Sequence, residues 1–118
     1  MCGIIGVSNH PDAAKIASLG LYALQHRGEE AAGIVSYDGN EIHIKKEPGL
    51  VADAFNEESL NKLKGSTAIG HCRYSTTGSS NNKNMQPFLV RHRNKSMAVA
   101  HNGNLTNTGE LYKKLEEL

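Results

Sequence analysis

Residues 32–46 predict a β-hairpin, so any fold of this chain must contain antiparallel strands. The first arm, residues 32–37, is mostly apolar, and the second arm, residues 41–46, alternates isoleucines with polar side chains. Between the arms, Asp38-Gly39-Asn40 provides residue types that tolerate the backbone of a tight turn. Because these signals agree, the two arms are expected to pair directly.

The rest of the chain alternates between strand and helix patterns. Short apolar runs predict strands over residues 2–7, 66–74, 88–92 and 96–100, the last two joined by an Asn94-Lys95 turn. Helical spacing of apolar residues predicts helices over residues 11–25, over 54–64 with a stop at Gly65, and from Thr106 or Thr108 to Leu118. The polar loop 75–86 fits a flexible lid and a surface excursion equally well.

Length and charge narrow the class of protein. A chain of 118 residues makes at most one ordinary domain, and its net charge of +1 provides no overall field for nucleic acid or an anionic membrane. It has no apolar run long enough to span a membrane and no signal peptide, which predicts a cytoplasmic protein. Two cysteines and six scattered histidines indicate neither a disulfide scaffold nor a metal site.

Cys2 is the first candidate for chemistry. If Met1 is removed, the chain begins with a thiol whose own α-amino group lies within reach of the sulfur. The α-amine has an ordinary pKa of about 7.7 to 8.0 and a thiol about 8.5, so the amine can accept the thiol proton near neutral pH. One residue can thus supply both nucleophile and base. A cysteine after the initiator methionine is also a common chance occurrence.

Other candidate groups follow predicted strands. Arg73 offers a planar fork suited to a carboxylate, and the Asn102 side-chain amide and Gly103 N–H can donate to an oxyanion. Each also has a simpler interpretation, a surface ion pair for the arginine and a turn for the Asn-Gly pair. Cys72 is predicted to be a small buried hydrophobe on the face opposite Arg73, and His101 is predicted to be structural.

These residues occur in motifs that resemble the glutaminase domain of the class II glutamine amidotransferases, a branch of the N-terminal nucleophile hydrolases. The matching segments, in the family's order and spacing, are Met1-Cys2-Gly3-Ile4, Gln25-His26-Arg27-Gly28, Ala32-Gly33-Ile34, Gly70-His71-Cys72-Arg73-Tyr74-Ser75-Thr76, Gln86-Pro87 and His101-Asn102-Gly103-Asn104-Leu105. Within the class, Arg73-Tyr74 and residues 101–107 are most similar to the members that act in the first step of purine synthesis. Glucosamine-6-phosphate synthase is the other relative to consider.

The resemblance implies an α+β fold, the four-layer αββα sandwich of antiparallel sheets of these hydrolases. Residues 1–118 would be the N-terminal portion of the glutaminase domain, with the sandwich incomplete and no phosphoribosyltransferase domain. Such a portion is expected to need a missing segment, a partner or self-association to be stable, and a homo-oligomer is expected. An aspartate that holds the substrate amino group would lie beyond Leu118.

The resemblance also implies a reaction. Cys2 would attack the glutamine amide to give a γ-glutamyl thioester and ammonia, with Asn102 and Gly103 forming the oxyanion hole. Arg73 would bind the glutamine α-carboxylate, Thr76 would help to seat the substrate, and Arg27 would organise the pocket around the nucleophile. Ammonia would then pass to phosphoribosyl pyrophosphate on the absent domain, where Mg²⁺ is expected; no cofactor is expected in this segment. A truncated, non-catalytic module that binds glutamine or a partner is the alternative.

Overall fold

The computed structural model describes residues 2–24, 31–73, 85–103 and 106–118. Its central element is an antiparallel sheet of four strands in the order β1-β4-β2-β3. The strands are β1 (Gly3–Val7), β2 (Ala31–Tyr37), β3 (Ile42–Pro48) and β4 (Thr67–Arg73). The predicted hairpin is confirmed, because β2 and β3 pair from Ala31↔Pro48 to Tyr37↔Ile42.

Helix α1 (Ala13–Leu24) covers one face of this sheet, as its apolar spacing predicts. Its buried side is built from small residues and Leu21, which is fully buried. The contact is close: a Cβ on Gly20 would collide with the Ile5 side chain, and one on Gly70 would crowd Leu21. Since Ile5 and Gly70 are paired across β1 and β4, this face of the sheet is the inner wall of the core.

The single helix predicted over residues 54–64 is wrong. The chain forms two short helices there, α2 (Val51–Ala54) and α3 (Glu57–Lys62). Asn56 causes the break: its side chain accepts a hydrogen bond from the Ser59 backbone N–H at 2.8 Å, and Ser59 Oγ accepts one from the Asn56 N–H at 3.0 Å. This capping box starts a new helix and leaves Phe55 extended and buried in the core.

The opposite face of the sheet is approached by a second hairpin, β5 (Phe88–His92) and β6 (Lys95–Val99). Its strands are confirmed, but its turn is Arg93-Asn94 rather than Asn94-Lys95, because Arg93 adopts a left-handed backbone with φ of 55°. Arg91 and Ser96 line a cleft of about 560 Å³ together with Tyr37 and Ile42 of the central sheet. The hairpin therefore begins a second sheet layer.

The last helix, α4 (Thr108–Glu116), begins at one of the two predicted positions and has no buried residue. The predicted class is confirmed, with antiparallel sheets and helices in an α+β arrangement. Within the described residues, no helix is long and apolar enough to cross a membrane. Most of the predicted loop, residues 75–84, falls outside the described residues.

At Gly33 the chain of the second layer closely approaches the face of the sheet opposite α1. A Cβ at this position would overlap the backbone carbonyl of Gln86, which cannot rotate away as a side chain could. We expect Gly33→Ala to lower the free energy of unfolding by about 1 to 3 kcal/mol, measured by denaturant unfolding. Gly6→Ala in β1 is the matched control, because nothing lies within 4 Å of its added Cβ. Equal losses of unfolding free energy in the two variants would contradict this explanation of the packing at Gly33.

Candidate active site

Cys2 lies directly before β1, at the end of the central sheet, and is half-buried. A Cβ on its neighbour Gly3 would contact Leu24 of α1 and the Cys72 thiol, so Gly3 lies on the α1 face. Because side chains alternate along extended backbone, Cys2 belongs to the opposite face. The thiol is thus directed toward the second layer, away from the apolar core.

Arg73 reaches the same corner of the sheet from another strand. It is the last residue of β4, which runs antiparallel to β1 and pairs Cys72 with Gly3. Alternation along β4 places Arg73 on the face opposite Cys72, as predicted. Cys72 itself is 3% exposed and part of the core cluster, so its prediction as a buried hydrophobe is confirmed.

Asn102, in the C-terminal half of the chain, makes a hydrogen bond to Cys2. Its side-chain Nδ2 donates a hydrogen bond to the Cys2 backbone carbonyl at 3.1 Å, across 100 positions of sequence. An amide nitrogen carries two hydrogens, so one N–H remains for a ligand. The next residue, Gly103, has φ of +153°, a conformation that side chains disfavour. The structure therefore brings two predicted donors to the nucleophile's end of the sheet.

Gln86 supports this arrangement in a way that sequence reasoning missed. Its Oε1 accepts a hydrogen bond from the His101 backbone N–H at 2.7 Å. The Gln86-Pro87 peptide bond is cis, and the Phe88 and His101 rings lie 6.4 Å apart between centroids. Gln86 stands in one of the family motifs, but its partner is 15 residues away and no local pattern reveals it. The Gln86–His101 hydrogen bond and the Phe88–His101 ring pair hold the segment that precedes Asn102.

His71 also belongs to this face, since it alternates with Gly70 and Cys72 of the core side. It is 1% exposed, and burial lowers the pKa of its imidazole below the ordinary value. Neither ring nitrogen makes a hydrogen bond within the part of the chain that the structure describes. No pattern in the sequence predicts a buried histidine without a hydrogen-bond partner in the described part of the chain.

Two predicted site residues cannot be placed. Arg27 and Thr76 lie outside the described residues, which exclude 25–30 and 74–84. Their predicted roles remain predictions. Among the described residues, the structure thus assembles Cys2, Arg73, Asn102 and Gly103 on one side and one end of the central sheet.

A separate polar cluster stabilises the β2–β3 turn, at the other end of the sheet. The Asp38 carboxylate accepts hydrogen bonds from the backbone N–H groups of Glu41 and Asn40 and pairs with the His43 ring at 2.8 Å. The Glu41 N–H, then His43 and Asn40, hold the pKa of Asp38 well below its usual range. Asp38, Glu41 and His43 place their ligand atoms within 4.8 Å of one another, and the turn geometry accounts for that grouping.

Comparison with known proteins decides the family. The family model of class-II glutamine amidotransferases matches residues 1–117 of the chain. The chain belongs to the class-II glutamine amidotransferases. This membership agrees with the antiparallel α+β fold and with the N-terminal position of Cys2.

Individual members of this amidotransferase class are similar over nearly the whole chain. The chloroplastic amidophosphoribosyltransferase of Vigna aconitifolia is 52% identical over 116 residues, which cover 98% of this chain and 24% of that protein. The amidophosphoribosyltransferase of Synechocystis sp. is 49% identical over 117 residues, covering 98% of this chain and 24% of the relative. The chain therefore spans about a quarter of the length of these curated relatives.

Two solved structures show the same fold. The allosteric regulatory enzyme of purine biosynthesis superposes with a TM-score of 0.88 at 44% identity, covering 99% of this chain and 25% of that one. Glutamine phosphoribosylpyrophosphate amidotransferase from B. subtilis, complexed with ADP and GMP, superposes with a TM-score of 0.85 at 43% identity, with coverages of 99% and 25%. The expected N-terminal nucleophile hydrolase fold is thereby confirmed.

Proposed function

We propose that this chain hydrolyses glutamine to glutamate and ammonia through a Cys2 thioester. In the complete protein, the ammonia would pass to phosphoribosyl pyrophosphate to make phosphoribosylamine, the first step of de novo purine synthesis. The observation that carries the proposal is the hydrogen bond from Asn102 Nδ2 to the Cys2 carbonyl, which puts an amide donor beside the candidate nucleophile. The names of the similar proteins support the acceptor.

The first half of the proposed reaction breaks the amide. Once Met1 is removed, the α-amine of Cys2 takes the thiol proton and the sulfur attacks the glutamine side-chain carbonyl carbon. The C–S bond forms as the carbonyl electron pair moves onto oxygen. The protonated amine then gives its proton to the leaving nitrogen, so the C–N bond breaks and ammonia departs. A γ-glutamyl thioester remains.

The second half restores the enzyme. Water attacks the thioester carbonyl while the α-amine accepts a proton from it, and the C–S bond breaks to release glutamate. The proton on the amine returns to the sulfur. The same residue thus acts as nucleophile, base and acid, and the chemistry uses no group beyond the thiol, the amine and the donors around the oxyanion.

Asn102 and Gly103 are proposed to stabilise the oxyanion formed in both halves. One Asn102 N–H already binds the Cys2 carbonyl, which fixes the side chain and leaves the second N–H available. Donors that are positioned before the reaction stabilise developing charge without reorganisation. The donors are therefore expected to lower the barrier more than they strengthen substrate binding.

Arg73 is proposed to bind the glutamine α-carboxylate through its two parallel N–H groups. Arg73→Lys keeps the charge but loses bidentate pairing. We expect glutamine binding to weaken by about 1.5 to 3 kcal/mol, the worth of a charge-assisted hydrogen bond, seen mainly as a higher KM for glutamine. Arg91→Lys, on the β5–β6 hairpin, is the control and should leave KM unchanged. Unchanged glutamine kinetics in Arg73→Lys would make Arg73 a structural residue.

The remaining assignments rest on the family resemblance. Thr76 would seat the substrate and Arg27 would organise the pocket around the thiol. Residues 1–118 would form the N-terminal portion of a glutaminase domain, and Mg²⁺ would act only in a phosphoribosyltransferase half. A cytoplasmic location and a homo-oligomer remain part of the proposal.

The proposal is tested by supplying the complete protein with glutamine and measuring glutamate, ammonia and phosphoribosylamine. We expect glutamine-dependent phosphoribosylamine when phosphoribosyl pyrophosphate is present. Binding of glutamine without release of glutamate would instead identify a non-catalytic module. Release of glutamate without consumption of phosphoribosyl pyrophosphate would support a different member of the class.

A further inference from the structure

His71 occupies the middle of the central sheet on the face that carries the site. In the register it lies between Ile4 of β1 and Gly33 of β2, so strands flank it on both sides. The Gln86 backbone approaches this same face at Gly33. The imidazole is therefore enclosed between the sheet and the chain segment that leads into the second hairpin.

Burying the His71 ring without hydrogen-bond partners costs folding free energy. At 1% exposure it is removed from water, and both Nδ1 and Nε2 are without a hydrogen bond to the described residues. A buried polar atom without a partner costs about 1 to 3 kcal/mol, and such atoms are uncommon in native proteins. A leucine of similar size would avoid this cost. The histidine therefore calls for a functional explanation.

The backbone of His101 is a polar group that acts on the His71 ring. It raises the pKa of His71, as an accepting carbonyl does, against the larger lowering effect of burial, and neither ring nitrogen makes a hydrogen bond to it. His101 precedes Asn102, and the two share a planar peptide unit. That segment is already held by Gln86 at the His101 N–H and by Cys2 at the Asn102 side chain.

We infer that His71 is a positioning residue for residues 101–103, in which a ring N–H donates to the His101 carbonyl when glutamine reacts. This contact would fix the plane of the 101–102 peptide. It would thereby orient the Asn102 side-chain N–H toward the oxyanion. The inference rests on the proposed glutaminase function. His71 itself touches neither the thiol nor the substrate in this account.

The test compares two substitutions in the complete protein. His71→Leu removes both ring nitrogens at similar volume, so the melting temperature should be unchanged or higher. Turnover of glutamine should fall about tenfold to a hundredfold, as expected for a misplaced catalytic group, while KM changes by less than about twofold. His71→Gln retains a side-chain N–H and should recover most of the turnover.

Ile69→Val serves as the control, since Ile69 lies two residues earlier on the same strand and face and carries no polar group. It should leave turnover unchanged. Normal glutamine turnover in His71→Leu would overturn the inference. Equal losses of turnover in His71→Leu and His71→Gln, together with lower melting temperatures, would also overturn it. If the unmodified protein releases no ammonia from glutamine, the proposed function fails and the inference fails with it.

Discussion

Cys2→Ala is expected to abolish glutamine hydrolysis in the complete protein. Without the sulfur no thioester can form, and loss of a covalent nucleophile reduces turnover by about 10⁴-fold or more. Synthesis from added ammonia should continue, because that step does not use the thiol. Glutamate release and ammonia-dependent synthesis are measured side by side on the same preparation.

Cys72→Ala is the matched control for this experiment. Cys72 is the other cysteine, and it is buried against α1 rather than directed to the site. Its replacement should lower the melting temperature through lost packing and leave glutamine turnover close to normal. Retained glutaminase activity in Cys2→Ala would move the nucleophile elsewhere. Loss of both activities would indicate a folding defect.

Asn102→Ala is expected to lower glutamine turnover by about a hundredfold to a thousandfold, the range seen when one oxyanion donor is removed. The effect on KM should be smaller, because the donor acts most strongly when charge develops on the oxygen. The variant also loses the 3.1 Å bond to the Cys2 carbonyl, so a modest fall in stability accompanies the slower reaction.

Asn94→Ala, in the turn of the β5–β6 hairpin, provides the control for losing an asparagine near a turn. It should change stability only. If Asn102→Ala kept normal turnover and showed only a lower melting temperature, Asn102 would be a turn residue. The oxyanion role would then have to belong to another donor.

The parts of the fold that local pattern could predict are those where short-range signals agree. The β2–β3 hairpin has a mostly apolar first arm, an alternating second arm, an Asp-Gly-Asn turn and a side chain, Asp38, that caps the turn itself. Helix α1 has a continuous apolar face that matches one face of the sheet. In both cases tertiary packing and local preference require the same structure.

Local pattern failed where a single residue decided between alternatives. Phe55 ends one helix and Asn56 caps the next, although the apolar spacing runs through both residues. Arg93 adopts a left-handed backbone conformation in the two-residue turn. The turn is therefore Arg93-Asn94, one position before the predicted Asn94-Lys95 pair. In neither case does the period of apolar residues carry the information.

The site was predictable to the extent that it depends on motifs. The residue types and positions of Cys2 and Asn102 predict a role in the site, and the fold brings the Asn102 side chain within hydrogen-bonding distance of the Cys2 carbonyl. Gln86 supports the segment before Asn102, but it acts through a partner that is 15 residues away in sequence. Such contacts depend on the strand register and on how the layers stack. A short segment of sequence predicts neither.

The most direct measurement labels the complete protein with a glutamine analogue that carries an electrophilic ketone, followed by peptide mass spectrometry. We expect one modified cysteine, Cys2, in a peptide that begins at that residue after loss of Met1, with Cys72 unmodified. Excess glutamine should slow the labelling, since both ligands use one site. Modification mainly at Cys72, or a retained Met1 on a protein that still hydrolyses glutamine, would contradict the proposal that Cys2 supplies both nucleophile and base.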